Sequence, residues 1–350
     1  MYYRAIDLLK GMISRPSFSR EETAVADFLE AAWKQDGHTV RRFGNNLWMM
    51  SDLFDPSRPT ILFNSHIDTV KPVSGWTRDP FQPEETEDDL LFGLGSNDAG
   101  ASVVSLYAAF CLLTQKGEQP YNLIFLASAE EEVSGKNGIE SVLPMLPPIT
   151  FAVVGEPTGM RPAVAEKGLM VLDCVSHGKA GHAARNEGIN AIYQALPDIE
   201  WFRTHRFERE NPYLGPVKMS VTVIQAGTQH NVVPDRCSFV VDVRSNGCYS
   251  NRELYDEICA AVRSEVTARS FRLNASQLDA SHPFLQRTEL LGLEPFGSPT
   301  LSDQALIPVP SIKIGPGDSA RSHSADEYIR LPEIREAIEL YVRLLDGMKL

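Results

Sequence analysis

The sequence has few of the features that mark membrane, secreted or nucleic-acid-binding proteins. No stretch approaches the roughly 20 apolar residues that a helix needs to cross a bilayer. The N-terminus carries charges throughout and lacks the apolar core of a secretory signal. Basic residues are outnumbered, with 33 Lys and Arg against 46 Asp and Glu and a formal net charge of −13. Because phosphate binding needs clustered Lys and Arg, this balance argues against nucleic acid and anionic membrane surfaces as partners.

Cysteine is scarce as well. The 5 cysteines are far apart, with no C-x-x-C pair, and several lie inside apolar runs. An odd number of scattered thiols is typical of a reduced protein, so we expect a cytoplasmic location. The 350 residues are 43% apolar and 23% charged, which is the composition of a globular protein with one large domain or two ordinary ones.

Buried-strand and helix patterns alternate along the first half of the chain. The apolar runs with strand character are at 60–65, 123–128 and 151–155. Helical periodicity follows Gly100, and Ser19 and Glu22 have the spacing of a capping box before another helix. This alternation predicts an α/β fold, with a mostly parallel sheet flanked by helices.

The pattern changes near Lys167. The next strands are predicted at 169–176, 217–225, 237–244 and around Phe271, and the helices between them at 190–203 and 252–269. The order β-α-β-β-α-β is that of a ferredoxin-like α+β domain. After Ser276 a buried strand is predicted again at 311–315, with a closing helix after Pro332. We therefore predict a large α/β domain, 1–166 and 276–350, with a second domain inserted at 167–275.

Histidines and carboxylates follow several of these strands. They stand in five short elements, His66-Ile67-Asp68, the glycine-rich segment 93–100 that contains Asp98, Ala129-Glu130-Glu131-Glu132, Gly155-Glu156-Pro157-Thr158 and the loop 315–323 ending in His323. The carboxyl ends of parallel strands are where α/β sheets place their sites. Each element alone has an ordinary structural explanation, such as a helix N-cap for Asp98 or an exposed acidic turn for 130–132. Together they form an N/O ligand set without cysteine, which suits zinc or another divalent first-row metal.

Two spacings add to this interpretation. Strand alternation sends His66 and Asp68 to the same side, so the Asp68 carboxylate can accept the second imidazole N–H and orient the other nitrogen towards a metal. The three adjacent carboxylates at 130–132 repel each other, and burying them is costly without cations. A single carboxylate shared between two ions is the usual plan of a two-metal site.

In this order the five elements resemble the co-catalytic zinc metallopeptidase and deacylase family of acetylornithine deacetylase, succinyl-diaminopimelate desuccinylase, aminoacylase and glutamate carboxypeptidase. The resemblance covers nearly the whole chain. It implies a zinc-peptidase-like catalytic domain with two zinc ions, for which cobalt or manganese can substitute. The metal ligands that it implies are His66, Asp98, Glu132, Glu156 and His323.

The resemblance also implies roles for individual residues. Asp98 would bridge the two ions, with His66 on one and His323 on the other. Glu131 would be the general base, which takes a proton from the attacking water and passes it to the departing amine. Asp68 would orient His66.

The inserted domain is expected to act in dimerisation and as a lid. Its segment 178–184 resembles the family segment whose histidine enters the partner subunit's active site, so His182 becomes the candidate oxyanion contact in a homodimer; the alternative is an exposed turn histidine. Asn231, Arg244 and Lys167 match substrate contacts of the family. Arg244 suits a free α-carboxylate through bidentate hydrogen bonds, and its alternative is a surface charge at a strand end.

The leading functional hypothesis is hydrolysis of a small N-acyl-L-amino acid, with acetylornithine deacetylase of arginine biosynthesis as the nearest named activity. A desuccinylase and a di- or tripeptidase remain open, as does a catalytically silent amino-acid-binding relative. Two departures from the family pattern leave the subfamily open: Leu94 stands where arginine is frequent, and A-E-E-E stands at 129–132 where A-D-E-E is commoner.

Overall fold

The computed structural model describes residues 1–185 and 187–350. The helices in this part of the chain are α1 (Tyr2–Ile13), α2 (Thr23–Gln35), α3 (Ala101–Gln115), α4 (Ile139–Val142), α5 (Ala191–Thr204), α6 (Asn251–Ala261), α7 (Pro283–Leu290) and α8 (Leu331–Leu345). The strands are β1 (Arg41–Phe43), β2 (Asn46–Met50), β3 (Thr60–His66), β4 (Glu84–Glu85), β5 (Leu90–Phe92), β6 (Asn122–Ser128), β7 (Phe151–Val154), β8 (Ala163–Glu166), β9 (Met170–His177), β10 (Gly181–His182), β11 (Lys218–Ala226), β12 (Val232–Val233), β13 (Arg236–Arg244), β14 (Glu265–Ala268), β15 (Ser276–Gln277), β16 (Phe296–Ser298), β17 (Ser311–Lys313) and β18 (Tyr328–Arg330). Among the described residues, no helix is long and apolar enough to cross a membrane.

The chain forms two compact units. The large unit comprises Met1–Val164, Gln277–Phe296 and Ser302–Leu350, and the small unit comprises Ala165–Ser276 and Gly297–Leu301. The sequence pattern predicts that all residues after 276 belong to the large domain. The short segment Gly297–Leu301 belongs instead to the small unit, and no composition change marks it.

The large unit is built on a mostly parallel sheet, as predicted. Its strands run in the order β1-β2-β6-β3-β7-β17-β8. The pairs β3–β6, β3–β7 and β7–β17 are parallel, whereas β1–β2, β2–β6 and β17–β8 are antiparallel. The carboxyl ends of the four parallel strands therefore lie at one edge of the sheet. His66 ends β3 at this edge, and the loops bearing Glu131 and Glu132, Glu156 and His323 leave from it, whereas Asp98 follows β5 of a separate three-stranded sheet.

Both faces of this sheet are covered, which explains why its central strands are continuously apolar. Along β3, Ile61 and Phe63 pack into a core shared with α1, α3 and α8, whereas Leu62 packs into a second core with α4. Successive side chains of a strand point to opposite faces. The expected helices on both faces are thus confirmed.

The small unit has the predicted ferredoxin-like order. Its elements follow as β9, α5, β11, β13, α6 and β14, and its antiparallel sheet has the strand order β11-β13-β9-β14. Alternate residues of β9 and β13, such as Leu172, Phe239 and Val241, are buried in its core.

One helix boundary in the small unit was predicted wrongly. Helix α6 ends at Ala261, not near 269, and the last strand is at Glu265–Ala268, before Phe271. The turn that ends the helix is held by the buried carboxylate of Asp198, which accepts the N–H groups of Arg263 at 3.1 Å and Ser264 at 2.8 Å. Because Asp198 and Arg263 are more than sixty residues apart in the sequence, no local sequence pattern predicts this contact.

Candidate active site

His66 is the last residue of β3 and is 1% exposed. Its Nε2 atom lies 3.3 Å from Oδ1 of Asp98 and 3.7 Å from Oε1 of Glu156. Burial alone would lower the pKa of His66, but the charge of Glu156 and hydrogen bonds to Asp68 and Asp98 raise that pKa well above its ordinary value. The imidazole is thus enclosed by carboxylates.

The orientation of His66 differs in detail from the prediction. Its Nδ1 atom lies 2.9 Å from the main-chain carbonyl oxygen of Asp68, and 3.5 Å from the carboxylate of that residue. The Asp68 carboxylate also accepts hydrogen bonds from the N–H groups of Glu131 and Glu132, at 3.0 and 3.1 Å. Asp68 therefore contacts His66 through both its carbonyl oxygen and its carboxylate, and that carboxylate also holds the acidic loop.

Asp98 lies between the two histidines. Its Oδ1 atom faces His66, and its Oδ2 atom lies 3.8 Å from Nε2 of His323. It is carried by the segment Ser96–Gly100, which bends back so closely that a Cβ on Gly100 would lie 2.4 Å from the carbonyl oxygen of Gly95. Gly100 is therefore required by the close approach of the backbone.

The Asp98 segment is held by Glu327, a residue that the sequence analysis missed. The Glu327 carboxylate accepts the N–H groups of Gly95, Asn97 and Asp98 at 3.2, 2.8 and 2.9 Å. Its burial and the nearby charge of Asp98 raise the pKa of Glu327 to about 8. Glu327 directly precedes β18, so a search of residues that follow strands does not find it.

Glu132 and His323 form the other side of the site. Nε2 of His323 lies 3.1 and 3.0 Å from the two carboxylate oxygens of Glu132. This hydrogen bond, with the charges of Glu132 and Asp98, raises the pKa of His323 to about 9 although burial opposes the shift. The His323 side chain is 53% exposed.

The neighbours of Glu132 in the acidic loop have different surroundings. Oε2 of Glu131 lies 3.9 Å from Nε2 of His66. Burial raises the pKa of Glu131 well above its ordinary value, and the charges of Glu156, Asp303 and Glu132 add to the shift. Glu130 is buried and does not point towards His66, because its carboxylate accepts a hydrogen bond from the side-chain amide of Asn137 at 3.0 Å.

Asp303 is a second buried carboxylate that the sequence analysis missed. It accepts the hydroxyl of Ser128 at 2.6 Å and the amide of Asn64 at 2.9 Å. Burial raises its pKa to about 6. It lies in a short helical turn, Asp303–Leu306, rather than after a strand, so the strand-end pattern could not reveal it.

Two groups of side chains in the large unit can each hold a metal ion. One is His66, Asp98 and Glu156, and the other is Asp98, Glu132 and His323; within each group the ligand atoms lie within 4.8 Å of one another. Both contain imidazole and carboxylate donors, which suit zinc and similar divalent ions. Carboxylates packed this closely repel each other in a buried site, and cations relieve that repulsion. The residues therefore fit two metal ions that share Asp98.

The remaining predicted residues lie in the small unit. His182 is exposed, and its Nδ1 atom accepts the N–H of Ala184 at 3.1 Å. Asn231 lies beside it, since the N–H of Ala183 donates to the Asn231 carbonyl at 3.0 Å. Arg244 is engaged in a bidentate ion pair with Asp242, with N–O distances of 2.8 and 3.0 Å.

Lys167 also has a partner in the small unit. Its amine donates to the carbonyl of Pro216 at 2.9 Å. Burial and the charges of Lys218 and Arg244 lower the pKa of Lys167. Lys218 on β11 is the direct cross-strand partner of Arg244 on β13, so three cations gather at this end of the small sheet.

Comparison with known proteins agrees with this geometry. Residues 62–347 match the family described as Peptidase family M20/M25/M40. A succinyl-diaminopimelate desuccinylase of Wolbachia pipientis wMel is 26% identical over 279 residues, which are 74% of this chain and 70% of the relative.

Solved structures share the fold. The structure of an aminopeptidase from Bacillus cereus superposes with a TM-score of 0.80 at 18% identity and covers 99% of this chain and 98% of its own. A dinuclear metal-binding peptidase of the M20 family from Bacillus subtilis superposes with a TM-score of 0.74 at 17% identity, covering 99% and 97%. The resemblance seen in the sequence is confirmed: the chain belongs to peptidase family M20/M25/M40 and is a metal-dependent hydrolase of amide bonds.

Proposed function

We propose that this enzyme removes the acyl group from a small N-acyl-L-amino acid, with two zinc ions as its cofactor. The observation that carries this proposal is the position of Asp98, whose two oxygens face different histidines. His66 and Glu156 would complete one site, and Glu132 and His323 the other. When bound, such ions supply Lewis acidity and lower the pKa of a water molecule.

The protein's own groups would move the protons. Glu131 lies outside both metal-holding groups and close to them, so its carboxylate is free to take a proton from the attacking water. The raised pKa of Glu131 suits a group that must accept this proton and then pass it to the departing amine. Glu130 is a poorer candidate because its carboxylate is bonded to Asn137.

The small unit would recognise the negative charge of the substrate. Lys167, Lys218 and Arg244 lie near one another at one end of the small sheet, where Arg244 is paired with the carboxylate of Asp242. Like charges directly across a strand pair are destabilising, so an anion placed there is favoured. Arg244 would bind a substrate carboxylate by exchanging its bidentate partner Asp242. Asn231, which lies beside His182 and not beside Arg244, would make a separate substrate contact.

We propose that the acyl group of the substrate is succinyl. The curated relative from Wolbachia is named a succinyl-diaminopimelate desuccinylase, which supports a succinyl group. Acetylornithine deacetylation, the nearest activity by sequence motif, needs only one substrate carboxylate and remains the alternative. We also propose a cytoplasmic location, which the five free cysteines support.

A substrate panel tests the proposal. The protein, loaded with two equivalents of zinc or cobalt, is incubated with N-acetyl and N-succinyl forms of ornithine, citrulline, arginine, methionine and diaminopimelate, and with unblocked di- and tripeptides. We expect turnover of N-acyl amino acids and none of free peptides. Preferential cleavage of free peptides would make the enzyme a peptidase, and no turnover at full metal loading would refute the proposal.

We further propose a homodimer that forms through the small unit. Tyr193 and Leu196 on α5 are 68% and 52% exposed, and Ile224 on the edge strand β11 is 53% exposed. Exposed large apolar side chains on an edge strand, and on a helix that packs against that strand, are typical of a protein–protein contact surface. In such a dimer His182 would contact the oxyanion in the partner subunit's site.

A further inference from the structure

We propose that Ser19 and Glu22, which precede α2, position the catalytic loop 130–132, and that Glu22 is a positioning residue for the general base. This inference rests on the proposed role of Glu131. In the sequence the two residues have the spacing of a capping box for α2. In the structure both side chains are directed to other partners.

The side chain of Glu22 reaches the catalytic loop directly. Glu22 is 0% exposed, and its Oε1 atom accepts the N–H of Arg20 at 2.6 Å and the N–H of Glu130 at 3.2 Å. Its Oε2 atom accepts the side-chain amide of Asn45 at 2.9 Å. A carboxylate held at both oxygens is a fixed support for the N–H of Glu130.

The side chain of Ser19 acts through Asp68. Its hydroxyl donates to Oδ2 of Asp68 at 2.7 Å, and Asp68 in turn accepts the N–H groups of Glu131 and Glu132. The N–H groups of three successive loop residues therefore all donate to carboxylates from distant parts of the chain. Hydrogen bonds to charged groups are stronger than those between neutral groups.

The catalytic loop needs such support because its backbone adopts an unfavourable conformation. Glu130 and Ser134 have φ values of +56° and +44°, in the left-handed region that residues with a side chain rarely adopt. The same backbone sends the three adjacent carboxylates to different places: Glu130 to Asn137, Glu131 towards His66 and Glu132 to His323. A support that fixes this backbone also fixes which carboxylate is free to act as the base.

The test compares two buried carboxylates that each accept two backbone N–H groups. Glu22→Leu removes the support of the loop, and Asp198→Leu, the matched control, removes the acceptor that ends α6 in the small unit. Metal content, Tm, kcat and KM of the loaded enzymes are measured well below either Tm, on the best substrate of the unsubstituted enzyme.

We expect both variants to lower Tm, but only Glu22→Leu to lower kcat, by about 10- to 100-fold, because small displacements of a catalytic group are costly in rate. KM and metal content should stay near those of the unsubstituted enzyme. Glu22→Gln, whose amide oxygen can still accept the N–H of Glu130, should restore most of kcat. An unchanged kcat in Glu22→Leu, or an equal loss in Asp198→Leu, would overturn the proposal.

Amide hydrogen exchange provides a readout that needs no substrate. The amides of 130–132 should exchange faster in Glu22→Leu and Ser19→Ala than in the unsubstituted protein, and at an unchanged rate in Asp198→Leu. Unchanged protection in both loop variants would refute the positioning role. If exchange accelerates while Glu131→Gln keeps full activity, the loop is supported as proposed but the base is another residue. Ser19→Ala, at a half-buried position, serves if Glu22→Leu does not fold.

Discussion

The imidazole of His323 lies 3.0 Å from the carboxylate of Glu132, and in the absence of metal this contact raises the pKa of His323 to about 9. A raised pKa means that the protonated imidazole stabilises the folded state. This contribution is fully present below the unfolded pKa of about 6.5 and is lost as the pH rises through about 9.

Metal loading should therefore release protons. At pH 7.5 His323 is protonated in the metal-free protein, whereas a ligand imidazole must be neutral. We expect the apparent metal affinity to fall as the pH decreases below about 9, the pKa of His323. Calorimetric titration with zinc in two buffers of different ionisation enthalpy measures the release. Identical apparent enthalpies in the two buffers would contradict it.

The shared position of Asp98 predicts an unequal effect of single ligand substitutions. Glu132→Gln should lose one tightly bound metal ion, because Glu132 belongs to one group only, whereas Asp98→Asn should weaken both sites. Elemental analysis after dialysis against limiting zinc distinguishes the two results. Glu130→Gln is the matched control: it changes a neighbouring carboxylate outside both groups and should keep two ions. One lost ion in Asp98→Asn would show that the ions do not share this residue.

Glu131→Gln should keep the fold and both metal ions but lose nearly all turnover. The substitution preserves shape while it removes the base, an effect of about 10²–10⁴-fold on kcat. The steady-state rate on the best substrate of the panel measures it. Glu130→Gln should have a far smaller effect, since the Glu130 carboxylate faces Asn137. The reverse ranking of the two variants would assign the base to Glu130.

The proposed dimer makes a prediction about surface tyrosines. Tyr193→Asp, on α5 of the small unit, should yield a monomer in sedimentation experiments, because a charge in an apolar contact is costly. Tyr3→Asp is the matched control, since Tyr3 is 77% exposed on the large unit and lies outside the proposed surface. A monomeric unsubstituted protein would refute the dimer.

If His182 acts in the partner subunit, two inactive variants should complement each other. A mixed dimer of His182→Ala and Glu131→Gln contains one site with both an intact His182 and an intact Glu131, so part of the activity should return on subunit exchange. Continued inactivity after demonstrated exchange would rule out the role in trans.

Local patterns in the sequence predicted the fold and the polar residues at strand ends, and the family resemblance predicted which of those residues hold metal. Continuous apolar runs marked β3 and β6, and the polar residues His66 and Glu132 came soon after them. Side chains that follow parallel strands lie at the same edge of the sheet, so strand positions alone predict that these side chains come close together.

The supporting carboxylates could not be predicted in the same way. Glu22, Asp303 and Glu327 act by accepting hydrogen bonds from groups far away in the chain. Main-chain N–H groups are present at every residue except proline, so their side-chain acceptors leave no recognisable spacing. The capping-box spacing of Ser19 and Glu22 correctly predicted helix α2, but neither side chain caps that helix, since both support a distant loop.

The support of the catalytic loop also bears on where this enzyme can be shortened. The family match begins at residue 62, after Ser19, Glu22 and Asn45. A fragment trimmed to the matched region would retain His66, Glu131 and His323 and yet leave the N–H of Glu130 without its acceptor. Such a fragment would contain the residues by which the family is recognised but would lack the residues that fix the conformation of its acidic loop.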